Sequence, residues 1–204
     1  MKICGITSPE DGRMAAEAGA DAIGLVFWPG SPRRVDVATA GRISAALPPF
    51  VLRVGVFVDA KRDELVRAAD EAGLDLLQLH GSEPPDAVEG LPRRALKALR
   101  VGDGFVLADA LRYEGRAAGL VLDTKDAGAP GGTGRTFDWT LAQAVRERVR
   151  FLMLAGGLHA GNVAEAIRTV RPDAVDVASG VEAAPGRKDA AKVRAFVAAA
   201  RGVA

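Results

Sequence analysis

The 204-residue chain is 49% apolar and 26% charged, the balance of a folded domain and not of a disordered segment. A net charge of +1 supplies no long-range field to gather nucleic acid or an anionic membrane. No apolar run reaches the roughly 20 residues that span a bilayer, and none follows a charged leader as in a signal peptide.

One compact domain over 1–204 is the default at this length. The single cysteine rules out an internal disulfide and fits a reducing, cytoplasmic compartment. Neither His80 nor His159 stands at metal-ligand spacing, so no metal site is expected. Asn162 is the only asparagine, and Gln78 and Gln143 are the only glutamines. Heat-adapted proteins show such a depletion, and so do products of GC-rich genomes.

A short apolar strand ends at Cys4 in Lys2-Ile3-Cys4-Gly5-Ile6-Thr7. Ser8 then serves as N-cap and Pro9 as first residue of a helix to about Ala18, closed by Gly19. Asp21 to Phe27 reads as a second strand, nearly all apolar, as a strand covered on both faces should be. Trp28-Pro29-Gly30-Ser31-Pro32 breaks it, and Arg33-Arg34 follow. A helix spans about Val37 to Ala46, and Val51 to Val58 is the third strand. Arg62 to Ala72 is helical, and Leu74 to Gly81 contains the fourth strand and its exit. A weak helix over about Pro85 to Gly90 precedes a strand at Ala95 to Leu99 and a helix from Phe105 to Leu111. Gly119 to Asp123 is a strand ending in an acid. The glycine-rich loop from Thr124 to Thr136 is long for such a connection and has the character of a lid. Asp138 caps a helix to about Glu147. Phe151 to Ala155 leads into Gly156-Gly157, a helix covers about Gly161 to Val170, and Ala174 to Ala178 leads into Ser179-Gly180. Pro185-Gly186 separates a short extra helix from the last one, which Asp189 caps and which runs to about Ala200.

The pattern is about eight strand–helix units of about 25 residues each, the count of an α/β (β/α)8 TIM barrel. A doubly wound open sheet is the rival, but no glycine fingerprint follows the first strand. In a barrel the carboxyl ends of all strands meet at one rim. Cys4, Arg33, Gln78, Asp123, Gly156, Gly157, Asp176, Ser179 and Gly180 would stand there.

A lone cysteine is usually a small buried apolar residue. With a carboxylate from another strand facing the same pocket, Cys4 and Asp123 become the minimal equipment for moving a proton between two atoms. The two glycine turns after the seventh and eighth strands, Gly156-Gly157 and Ser179-Gly180, suit a phosphate held by backbone N–H groups. Arg33 can clamp a carboxylate, and Arg34 is read as a solvated neighbour. Asp176 in a core-like strand is either paired or functional. Lys97, alone in a strand, is read as pairing with an acid rather than as a Schiff-base lysine. His80 is read as a loop histidine, and Lys125 as a residue that helps the long loop close.

The stretches KICGIT, FWPGSPRRV, RVGVFV, LLQLHG, LVLDTKDAGAPGGTGRTFDW, LAGGL and VDVASGVEAAPGRKD, in this order over nearly the whole chain, resemble the phosphoribosylanthranilate isomerase family of tryptophan biosynthesis. The resemblance implies an Amadori rearrangement of N-(5-phosphoribosyl)anthranilate without a cofactor. Cys4 would be the general base, Asp123 the general acid and Arg33 the partner of the anthranilate carboxylate. Gln78 and Asp176 are further substrate-binding candidates. The partner expected is a small phosphorylated molecule, with a homodimer kept open. A related sugar-phosphate isomerase of histidine biosynthesis is the runner-up, although it typically carries an aspartate where Cys4 stands. A barrel that only binds a phosphorylated ligand is the non-enzymatic alternative.

Overall fold

The computed structural model describes residues 1–102, 104–124 and 139–203. The glycine-rich loop from 125 onward, Lys125 within it and the expected cap at Asp138 lie outside them. Eight parallel strands close into a barrel: β1 (Lys2–Cys4), β2 (Ala22–Val26), β3 (Leu52–Phe57), β4 (Leu76–Leu79), β5 (Ala95–Val101), β6 (Gly119–Thr124), β7 (Leu152–Leu154) and β8 (Ala174–Val177). Each pairs with its sequence neighbours, and β1 closes on β8 with Lys2 opposite Asp176. The connecting helices are α1 (Pro9–Glu17), α2 (Val37–Ala45), α3 (Arg62–Glu71), α4 (Leu107–Leu111), α5 (Trp139–Arg146), α6 (Val163–Val170) and α7 (Ala190–Arg201).

Side-chain alternation sorts every strand into two layers. Ile3, Ile23, Leu25, Leu77, Leu79, Leu120, Leu122, Leu152, Leu154, Val175 and Val177 point outward and pack under the helices in one large core. The opposite parity fills the barrel. Leu96, Ala98, Val121, Met153 and Ala155 form one interior cluster, and Cys4, Val26 and Val56 form another. At a rough 1.5–3 kcal/mol per buried large aliphatic side chain, the outer layer carries most of the stabilisation. The inner layer can therefore hold polar groups.

The helix starts follow their caps. Asp11 N–H donates to Ser8 Oγ at 3.1 Å, Thr39 N–H to Asp36 at 2.7 Å, and the N–H groups of Ala191 and Lys192 to Asp189 at 2.9 and 3.0 Å. Two elements differ from the sequence reading. The weak helix at Pro85 is only a 3-10 turn, Pro85–Val88, because the pair Pro84-Pro85 at its start lacks N–H donors and Gly90 and Pro92 stop it soon after. Pro185-Gly186 does stand between a short helix, of 3-10 type, and α7, but not as a simple linker. It turns a hairpin of β9 (Glu182–Ala184) and β10 (Arg187–Lys188), which follows a 3-10 turn at Ser179–Val181.

Candidate active site

The carboxyl ends of the strands surround a cavity of about 220 Å³. Its wall includes Cys4, Arg33, Gln78, Asp123, Gly156, Gly157, Asp176 and Ser179, eight of the nine residues singled out from the sequence. Gly180 lies behind the wall. A Cβ there would stand 2.0 Å from the carbonyl oxygen of Leu158, so glycine is required where the loops after β7 and β8 touch.

Cys4 closes β1, and its neighbour Gly5 has φ +73°. A Cβ on Gly5 would also meet Arg33 Cδ at 2.5 Å. The glycine thus lets the arginine stem lie across the chain one residue beyond Cys4. Arg33 donates through Nε and Nη2 to the two oxygens of Glu182, at 2.8 and 2.7 Å. Its Nη1 edge has no acceptor among the described residues. Lys188 also donates to Glu182, at 2.9 Å, and to the carbonyl of Ala178 at 3.0 Å. Burial lowers Lys188 below the ordinary amine value, although Glu182 opposes this. Arg33 is raised, chiefly by its hydrogen bonds to Glu182.

Beneath the thiol, Lys2 Nζ donates to Asp176 Oδ2 at 2.8 Å inside the barrel. Burial works against the Lys2 ammonium, but Asp176 outweighs it and holds the amine above its ordinary value. Burial pushes the Cys4 thiol up, and Lys2 is the main influence pulling it back.

The opposite wall carries the acid. Gln78 Nε2 lies 3.1 Å from His80 Nδ1, and His80 Nε2 lies 3.1 Å from Asp123 Oδ2. With the Gln78 amide so oriented, Nδ1 accepts and Nε2 carries the proton donated to Asp123. The histidine read as a loop residue therefore bridges two candidate site residues. Its signal in the sequence is spacing: Gln78 and His80 are two apart on one strand exit and face the same way.

The glycine turn after β7 has φ +85° at Gly156 and +65° at Gly157. Asn162 pins it, donating from Nδ2 to Gly157 O at 3.0 Å and accepting from His159 N–H at 2.8 Å. The N–H groups of Gly156, Gly157, Ser179 and Gly180 meet no acceptor among the described residues. Gln78 Oε1 and Asp176 Oδ1 are likewise buried and unpartnered. Buried acceptors are almost always satisfied, so these two oxygens in one cavity wall have capacity to accept hydrogen bonds from what fills the cavity. The site combines a thiol, an acid, a cation, two unpartnered acceptor oxygens and a cluster of free N–H donors.

Lys97, also flagged from the sequence, stays outside the barrel. Its Nζ donates to Glu83 at 2.8 Å, as the sequence reading anticipated, and to Gly81 O at 2.7 Å.

The chain is similar to known proteins over nearly its whole length. Residues 1–199 match the family described as N-(5'phosphoribosyl)anthranilate (PRA) isomerase. The N-(5'-phosphoribosyl)anthranilate isomerase of Pseudomonas putida strain W619 is 55% identical, over 98% of this chain and 96% of that one. The crystal structure of phosphoribosyl anthranilate isomerase from Thermotoga maritima superposes with a TM-score of 0.92 at 44% identity, covering 98% of both chains. A structure of phosphoribosyl anthranilate isomerase in complex with reduced 1-(o-carboxyphenylamino)-1-deoxyribulose 5-phosphate superposes with a TM-score of 0.89. It is 42% identical over 98% of this chain and 97% of that one.

Proposed function

The chain belongs to the N-(5'-phosphoribosyl)anthranilate isomerase family, and on that premise we propose how its barrel mouth performs the reaction. It is an isomerase of tryptophan biosynthesis. It converts N-(5-phosphoribosyl)anthranilate into 1-(2-carboxyphenylamino)-1-deoxyribulose 5-phosphate.

The substrate lies across the cavity. Its phosphate sits at the free N–H groups of Gly156, Gly157 and Ser179, with Gly180 allowing the two loops to meet. The anthranilate carboxylate takes the open Nη1 edge of Arg33. The aromatic ring fits among Val26, Trp28 and Val56, and the ribose hydroxyls donate to the orphan oxygens of Gln78 and Asp176.

Asp123 takes one N–H from His80 on Oδ2, which leaves Oδ1 to deliver a proton to the furanose ring oxygen. The ring opens to a protonated imine. The Cys4 thiolate removes the C2′ proton, and the C–H electrons pass into the imine to give the enolamine. Tautomerisation yields the ketone, and no electrons are lost or gained overall. A free thiol as base also suits a reducing cytoplasm.

The observation that carries this reading is that the Cys4 thiol and the Asp123 carboxylate, from β1 and β6, line one cavity. Turnover of phosphoribosylanthranilate, followed by loss of its fluorescence, tests it. Wild-type protein consumes the substrate and Cys4→Ala does not. Consumption by Cys4→Ala at the wild-type rate would remove the thiol from the chemistry.

A further inference from the structure

Lys2 precedes Cys4 by two residues on β1, so both side chains point into the barrel. It is 2% exposed, and among the described residues its one oxygen acceptor is Asp176, directly opposite on β8. The register partner of Cys4 on β2 is Gly24. A Cβ on Gly24 would lie 2.5 Å from Cys4 Sγ and 3.0 Å from Lys2 Cε. The thiol and the end of the lysine therefore share the space that this glycine leaves open.

The charges around the thiol can be counted element by element. Lys2 comes from β1, Asp176 from β8, Arg33 from the loop after β2, and Glu182 and Lys188 from the β9–β10 hairpin. Val26, Val56 and Ala178 complete the surround and carry no charge. Glu182 serves two cations and Asp176 serves one. Among the described residues three cations face two carboxylates around the thiol, a surplus of positive charge that an ionised Cys4 would balance.

We propose that Lys2 is a positioning residue for the base: its ammonium, anchored by Asp176, favours the thiolate of Cys4, while the anchoring carboxylate opposes it. The inference rests on the reading of Cys4 as the base. It has a mechanistic consequence. When the substrate carboxylate arrives at Arg33 it uses up the surplus positive charge. The thiolate then becomes the stronger base just as the C2′–H bond breaks and the S–H bond forms.

Alkylation of the protein's one cysteine by iodoacetamide, measured against pH without substrate, reads the charge state of Cys4 directly. Lys2→Met should move the midpoint up by at least about one unit, a tenfold slower reaction at neutral pH. Lys2→Arg should stay near wild type. Asp176→Asn should move the midpoint down. A purely structural ion pair gives no such opposition. Shifts of the same sign in the two single variants, or no shift in either, overturn the proposal.

Lys2→Met leaves a buried carboxylate unpaired. If that variant does not fold, the double variant Lys2→Met/Asp176→Asn replaces it. Its midpoint should still rise, by less, and an unchanged midpoint is equally fatal. Failure here is separable from failure of the base reading. Normal turnover by Cys4→Ala removes the base and leaves the alkylation shifts standing. A wild-type midpoint in Lys2→Met, with Cys4→Ala inactive, overturns only the role of Lys2.

Discussion

Two buried lysines, Lys2 and Lys97, sit 2% and 1% exposed on opposite faces of the same barrel sheet. Each donates to a carboxylate at 2.8 Å, Lys2 to Asp176 and Lys97 to Glu83. The surroundings differ. Around Lys97 every polar group is engaged: Glu83 accepts from the N–H groups of Asp59 and Gly81, its carbonyl accepts from Tyr113 Oη–H at 2.8 Å, and Lys97 also meets Leu79 O and Gly81 O. This closes the loop after β4, where the barrel has a 3-10 turn in place of a helix. Around Lys2 one carboxylate oxygen stays free, and the ammonium shares space with a thiol. A saturated buried pair is architecture, whereas an unsaturated pair in a cavity wall has capacity left for a substrate.

The largest effect should fall on the saturated side and on stability. Lys97→Met leaves Glu83 buried without its cation and should cost about 3–5 kcal/mol in urea unfolding, with kcat of the folded enzyme preserved. Loss of turnover at unchanged stability would break the comparison. The site side should show the reverse. Cys4→Ala and Asp123→Asn should keep the unfolding midpoint and lower kcat by at least about a hundredfold. Arg33→Ala comes next, with a KM increase of roughly tenfold or more and a smaller change in kcat. A fall in kcat at constant KM would assign Arg33 to the chemistry and not to binding.

The difference between the two sides also bears on what could be read without coordinates. All eight strands, and caps such as Ser8, Asp36 and Asp189, depend on neighbours within a few residues, and the strands and both Ser8 and Asp189 were legible. So was the convergence of Cys4 and Asp123, because barrel closure sends every strand end to one rim. The partners were not legible. Glu182 reaches Arg33 across 149 residues and Lys2 reaches Asp176 across 174, and no local pattern encodes such pairs. The β9–β10 hairpin was missed because its strands are three and two residues long, too short for a period to show. Lys2 did leave a trace, since a charge two residues before a rim cysteine on a strand must share its face.

The smallest expected effect concerns Glu182, which ties the site cations together and yet is neither substrate-facing nor catalytic. Burial alone would raise its carboxyl, but the hydrogen bonds from Arg33 and Lys188 prevail and hold it below the ordinary 4.5. A depressed carboxylate contributes stability that is full above the unfolded value and disappears as pH falls through the folded one. Urea midpoints for wild type and Glu182→Gln should therefore differ at pH 7 and converge as the pH drops below 4.5. The separation stays modest because glutamine keeps a side-chain oxygen to accept from Arg33 or Lys188, and Lys188, already lowered by burial, can release its proton where Lys97→Met leaves Glu83 with no cation at all. A gap that persists undiminished into acid would mean that Glu182 titrates alike in the folded and unfolded chains. Arg33 and Lys188 would then hold it by geometry and not by charge.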